Sequence, residues 1–175
     1  RCMTAPGLET RPMPGGGWLL AGAALCGGRA YALLADFFAQ TARMMGMDTN
    51  APYAAMEGLL KSADRPEDVP TVLPLFEGIR QDSMQTGSIT GLTAENFTPL
   101  HLIYGMMDGM AHELHQMYQA YRAAGGTAKK LIGSGGGLRN NRFLCESFSR
   151  VFDSAITLSD GREEAACGAA LYAAD

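Results

Sequence analysis

Charge of either sign is scarce in this chain. Only 18% of its 175 residues are charged, and fourteen Lys and Arg against eighteen Asp and Glu leave a net charge of -4. Without a basic patch there is no electrostatic footprint for a phosphate backbone or an anionic bilayer, so neither nucleic acid nor membrane is an expected partner. Long apolar runs are lacking as well. The best, Trp18 to Cys26, meets Gly27, Gly28 and Arg29 well short of the roughly 18 residues that a membrane span needs. The cysteines Cys2, Cys26, Cys145 and Cys167 are scattered without CxxC spacing, which argues against a thiolate metal site and predicts reduced, packed thiols in a cytoplasm. The chain opens with Arg1 and lacks the basic-then-apolar start of a signal peptide, so it is expected to be a piece of something longer.

What is present is the makings of a compact fold. At 47% hydrophobic residues, disorder is disfavoured and one core is expected. Residues 1–16 read as loop, with Pro6, Pro12 and Pro14 among glycines, and Trp18 to Ala21 as a buried strand. After Gly27 and Gly28 the period changes. Ala30, Leu33, Leu34, Phe37 and Phe38 fall on one helical face, predicting a helix to about Met45. A shorter helix follows around Tyr53 to Leu60, then a strand at Thr71 to Leu73 and another at Ser88 to Thr90, inside a long loop or edge hairpin. Thr98 as N-cap and Pro99 at the first helical position open a long helix that ends at Gly125 and Gly126. The remainder reads as strand (Leu131, Ile132), glycine turn (Gly133 to Gly137), helix (Asn141 to Val151), strand (Ala155 to Leu158) and a last helix of small residues opened by an Asp160/Glu163 capping box. That order is an α/β layered domain.

The glycine run is the densest chemical signal. Backbone without Cβ atoms can turn tightly and approach a flat ring or a phosphate closely, which predicts nucleotide binding; a plain linking turn is the competing reading. It fits no generic formula. A dinucleotide fingerprint beginning at Gly133 needs glycine or alanine where Leu138 stands, and no GxxxxGK[ST] occurs. Asn141 either addresses the polar edge of a base or ribose or serves as an N-cap. His112 and His115 lack the i, i+4 spacing of a zinc-protease helix and are expected on a polar helix face. The eleven methionines read as core filler and helix faces. The acids Asp82, Asp108, Glu163 and Glu164 are dispersed and make no catalytic pair; Asp108 is expected to tuck into a packing interface through a hydrogen bond.

Taken together these segments resemble the C-terminal half of the FGGY carbohydrate kinases, of the actin-like ATPase superfamily. Trp18 to Leu34 (WLLAGAALCGGRAYALL) is similar to the opening of that family's second domain, and Leu73 to Thr93 to its Pro-x-Phe-x-Gly and Gly-x-Ile-x-Gly-Leu-Thr region. Ile132 to Leu144 (IGSGGGLRNNRFL) resembles its adenosine motif, and Glu163 to Ala173 its terminal helix. The resemblance implies an actin-like (ribonuclease H-like) α/β fold over residues 1–175, the C-terminal lobe of a two-lobe sugar kinase. By position it puts Gly136 and Gly137 against an adenine, Asn141 on the nucleotide, and Gly27 or Gly28 at a second nucleotide contact. ATP and Mg2+ are the implied cofactors. The sugar and the catalytic base would be held mainly by an N-terminal domain absent from this chain, so no catalytic residue is assigned here. Phe76-x-Gly78-x-Arg80 leans toward the sedoheptulokinase-like branch. A homodimer is the remaining partner expectation. The alternatives are a non-catalytic nucleotide-binding or assembly module of the same fold and, disfavoured by Leu138 and by the late position of the turn, a dinucleotide-dependent oxidoreductase.

Overall fold

The computed structural model describes residues 3–13, 15–47, 50–80, 82–161 and 163–174; the expectations for Cys2 and Pro14 lie outside them. Where one core is expected, the chain forms two compact units, one of residues 1–23 with 114–175 and one of residues 24–113.

In the second unit, α1 (Gly27–Met44) and α2 (Pro52–Ser62) pack against each other, and β3 (Thr71–Leu73) and β4 (Ser88–Thr90) form a two-stranded antiparallel sheet with Val72 opposite Ile89. α1 buries Ala30, Leu34, Ala35 and Ala39. The expected apolar stripe is therefore rotated: Leu33 and Phe37 face outward. α2 begins with Pro52, whose fixed φ suits a first helical turn, and buries Met56 and Leu60.

The long helix α3 (Pro99–Ala123) starts in this unit. Thr98 Oγ1 accepts the His101 amide at 3.4 Å, the cap predicted for it. Every residue from Leu102 to Ala111 is buried, so this half of the helix is enclosed all round. Two glycines allow it. A Cβ at Gly105 would lie 2.8 Å from the Pro70 carbonyl oxygen, and one at Gly109 would lie 2.3 Å from that of Val72. Helix and strand thus meet backbone to backbone.

In the first unit, β1 (Glu9–Pro12) pairs antiparallel with β2 (Trp18–Ala21). Both strands correct the sequence reading. Residues 9–12 are strand, not loop, and β2 is not buried: Trp18 and Leu19 are each about half exposed. The apolar run satisfies its backbone groups in a two-strand ribbon and needs no cover from both faces for that. β5 (Leu131–Gly133) pairs parallel with β6 (Ile156–Leu158), Leu131 opposite Ile156. Between them run α4 (Gly136–Asn140) and α5 (Arg142–Val151), and α6 (Glu164–Ala174) closes the chain.

α5 seats Phe143, Leu144 and Phe148 in the core. Phe148, Phe152, His115 and Tyr118 form a ring cluster, with His115 and Phe152 edge to face at 4.9 Å. His115 is thus an aromatic packing residue and not part of a polar helix face.

Three further expectations are corrected. The capping box does not form: α6 begins at Glu164, and Glu163 accepts the Cys167 amide at 2.9 Å, so Asp160 stands too early to cap. Ala165 to Ala173 are exposed and not closely packed. Of the thiols expected to pack, Cys26 is buried but Cys167 is exposed. Met106, Met107 and Met110 are core as expected, whereas Met44, Met45 and Met47 are exposed. Among the described residues no helix is long and apolar enough to cross a membrane.

Candidate functional site

The glycine cluster stands at the end of β5, and its members have different reasons to be glycine. At Gly133 a Cβ would come within 2.8 Å of Ile156 Cγ2 and 2.9 Å of Leu138 Cδ1, so its absence lets neighbouring elements close up. Gly135 holds φ 93° and ψ 160°, a region that essentially only glycine visits. Gly136 and Gly137 have neither constraint. Their φ is not positive, and an added Cβ would meet only Asn140 Nδ2 and Leu144 Cδ2, each at 3.8 Å. Both are exposed and form the first turn of α4, where the sequence predicts a flexible glycine turn. The fold has room for side chains here, and going without them leaves a strip of open backbone.

Asn141 follows at once. Its Oδ1 accepts the Leu144 amide at 3.1 Å, which makes it the N-cap of α5 and fixes the side chain's orientation beside the strip. Gly136, Gly137 and Asn141 therefore belong to one strand-loop-helix stretch of the first unit. Gly27 and Gly28 belong to the second.

A network that the sequence reading missed anchors this stretch from below. Arg139, on α4, donates to the Ser159 carbonyl at 2.9 Å and to Ser159 Oγ at 2.8 Å, and also binds the Gly161 carbonyl and the Glu164 carboxylate. Ser159 Oγ donates to the same carboxylate. The Ser159 hydroxyl, then the Glu164 backbone amide and the Arg139 charge hold the Glu164 carboxyl below its ordinary 4.5. The partners lie 20 to 25 residues apart, so no local spacing signals them.

At the start of α1, Gly27 has φ 41°, in the left-handed region, so the backbone itself calls for glycine. Gly28 has no such φ, is exposed, and an added Cβ there has nothing within 4 Å. It repeats the pattern of Gly136 and Gly137. Cys26 precedes the pair. Burial, then the Glu77 carboxylate, push its thiol above the ordinary value of 9.0. Arg29 Nε sits 2.6 Å from Glu77 Oε1 on the exposed side.

The acids found in the sequence are used structurally. Asp82 Oδ1 accepts the Met84 amide at 2.9 Å within a turn, and Asp108 pairs with Arg65. Gly78 has φ 70°, and a Cβ on it would lie 2.8 Å from the Ser83 backbone, so the glycine of Phe76-x-Gly78-x-Arg80 is required by its turn. Among the described residues no three His, Cys, Asp or Glu side chains gather as a metal centre would require.

The model of the FGGY family of carbohydrate kinases, C-terminal domain, matches residues 5–174. This chain belongs to that family. The xylulose kinase of Bacillus subtilis (strain 168) is 27% identical over 93 residues, 53% of this chain and 18% of that protein. In the solved xylulose kinase from Rhodospirillum rubrum, the fold superposes with a TM-score of 0.76 at 24% identity, over 97% of this chain and 33% of that one. The Plasmodium falciparum glycerol kinase with ADP gives 0.72 at 18% identity, over 98% and 34%. The fold is thus the actin-like ATPase α/β fold of the FGGY sugar kinases. This FGGY domain spans about a third of the solved kinases it matches and under a fifth of the Bacillus relative.

Proposed function

We propose that this chain is the nucleotide-binding lobe of an ATP-dependent carbohydrate kinase, with Gly136, Gly137 and Asn141 holding the adenosine. The supporting observation is that Gly136 and Gly137 are glycines the fold does not require, open to solvent beside an asparagine fixed by its capping bond. A planar ring can lie on such a strip at van der Waals distance, where any Cβ would lift it off. By the family resemblance a nucleotide contact is also assigned to Gly28 on its own unit, with Gly27 setting the turn ahead of it. ATP supplies the phosphoryl group and carries Mg2+ on its phosphates.

The complete protein moves the γ-phosphoryl group onto a sugar hydroxyl, with positioning and charge stabilisation as the main sources of rate. Its N-terminal domain holds the sugar and the catalytic base. The acceptor we assign is a ketose, a pentulose such as xylulose or a heptulose such as sedoheptulose. The first draws support from the Bacillus relative's name, the second from the Phe76-x-Gly78-x-Arg80 pattern alone. The setting we assign is the cytoplasm.

Two measurements test this. Calorimetry with ADP on the 175-residue chain is expected to show binding that Asn141→Ser and Gly137→Val weaken at least tenfold; equal affinity in all three removes these residues from the site. Incubated with ATP and either ketose, the 175-residue chain is expected to form no sugar phosphate, whereas the complete gene product does. Turnover by the chain alone would place the base within it. ADP binding without turnover by the complete product leaves the non-catalytic module as the correct reading.

A further inference from the structure

Between α1, α2 and α3 the second unit leaves a cavity of about 320 Å³. Its floor is Met56 of α2 and Ile103 of α3, 3% and 1% exposed, and Phe38 of α1 forms a wall. Met47 and Ala55 also line it and are exposed, so the cavity opens to solvent on their side. Among the described residues that line it, no side chain carries a charge, a hydroxyl or an amide. Protein interiors pack at crystal density, with few voids larger than a water molecule, so a space of this size between three helices is out of the ordinary. The helices do not need it closed. α1 and α2 also meet outside it, where the Tyr31 and Tyr53 rings stack at 6.2 Å.

The chemistry of the lining says what fits. An ordered water needs two to four polar partners, and these side chains offer none. A charged or strongly polar ligand would give up its hydration here without gaining a hydrogen bond in return. Nucleotides and sugars fail by that test, so this site is separate from the nucleotide strip and does not rest on it. An uncharged apolar molecule meets no such penalty, since its transfer out of water is favourable in itself. Size narrows the class further. A dry apolar cavity of about 150 Å³ holds one benzene ring, and about twice that volume suits two fused rings or a chain of about ten carbons.

We propose that the cavity between α1, α2 and α3 is a binding site for a small uncharged apolar molecule about the size of naphthalene. The lining supplies shape and contact area but no hydrogen bond, so the site selects by charge and volume and not by functional group.

Naphthalene itself is the probe, titrated into the 175-residue chain with its methionine methyl groups labelled with carbon-13 and followed by NMR. Saturable shifts are expected at Met47 and Met56, which line the cavity, while exposed Met13 and Met84, which do not, stay in place. Naphthalene-1-sulfonate, the same rings with a charge, is expected to bind at least tenfold more weakly. Ala55→Phe puts a ring into the opening and is expected to weaken naphthalene binding at least tenfold; Ala54→Phe, its exposed neighbour outside the lining, leaves binding unchanged. Circular dichroism checks that both variants fold, and the sulfonate comparison, which needs no variant, decides the matter if one does not. Shifts at all exposed methionines alike, a sulfonate that binds as tightly as naphthalene, or full binding by folded Ala55→Phe overturns the proposal. So do Met47 and Met56 shifts that follow protein concentration and not naphthalene, which would assign the opening to a second copy of the chain.

Discussion

Arg65 and Asp108 form a two-pronged ion pair, Nη2 to Oδ2 at 2.7 Å and Nη1 to Oδ1 at 3.4 Å, between the loop after α2 and the enclosed half of α3. The Asp108 side chain is only 12% exposed, against 30% for Arg65, and the guanidinium also lies 5.0 Å from the Tyr104 ring centre. Asp108 was expected to find a hydrogen bond in a packing interface, and this is it. Removing the arginine takes a charged, two-pronged partner from a carboxylate in a shielded place, which costs more than the intact pair contributes. Arg65→Ala is expected to lower stability by about 2 to 3 kcal/mol, somewhat less than a fully buried pair because Arg65 reaches solvent. Urea denaturation followed by circular dichroism measures it, and a loss under about 0.5 kcal/mol, the range of ordinary surface substitutions, would contradict the assignment.

Gly109 and Gly137 predict opposite outcomes for the same chemical change. A methyl group at Gly109 would stand 2.3 Å from the Val72 carbonyl oxygen, a backbone atom that cannot step aside without moving β3 away from α3. Gly109→Ala is therefore expected to cost about 3 kcal/mol, at the upper end of overpacking penalties. At Gly137 the nearest atom is 3.8 Å away and the residue is helical, so Gly137→Ala leaves stability unchanged or raises it by up to about 1 kcal/mol. The same alanine stands on the open strip and is expected to weaken ADP binding. Thermal melts and calorimetry on the two variants separate a glycine needed by the fold from one kept for a ligand.

Asn141 carries two roles that substitution can divide. Its Oδ1 caps α5 through the Leu144 amide, and a helix that loses such a cap loses about 1 kcal/mol. Serine caps nearly as well but has no amide group to present to a nucleotide. Asn141→Ala is expected to lose both stability and ADP affinity, and Asn141→Ser to lose affinity while melting near the parent temperature. If serine restores binding in full, the residue acts on the nucleotide only by holding α5 in place.

The elements that the sequence made legible are those with local causes. Thr98 and Pro99 mark the start of α3 because cap and first turn are neighbours in the chain. β3, β4 and β6 are found to within a residue because proline, glycine and β-branched residues bound them. What the sequence hid depends on distant partners. β1 was unreadable because Glu9 to Pro12 becomes strand only by pairing with Trp18 to Ala21. The face of α1 was misread in part because all its leucines and phenylalanines were assumed to be inside, whereas the buried side is Ala30, Ala35 and Ala39 with Leu34, and Leu33 and Phe37 are left out. Gly133, Gly135 and Gly137 look alike in a glycine run, and only the coordinates tell a packing glycine, a backbone-strain glycine and an open one apart. The Arg139 network spans too much sequence for any motif to announce it.

Glu164 makes that network sensitive to acid. Its carboxyl lies below the ordinary 4.5 because the Ser159 hydroxyl, its own backbone amide and Arg139 all favour the charged form. A folded value below the unfolded one means that the carboxylate's contribution is present above about pH 4.5 and is lost as pH falls through the lower folded value. Since Arg139 rides on α4, protonating Glu164 weakens one of the four contacts that hold the helix carrying Gly136 and Gly137. Following the Glu164 carboxyl by NMR is expected to give a midpoint below 4.5, and Ser159→Ala, which removes the largest contribution, is expected to move it up toward the ordinary value. Glu164→Gln is expected to remove this acid-dependent loosening of α4, read as amide exchange of residues 136–140 between pH 5 and 3. A midpoint that does not respond to Ser159→Ala would mean that the hydroxyl does not bind the carboxylate in solution.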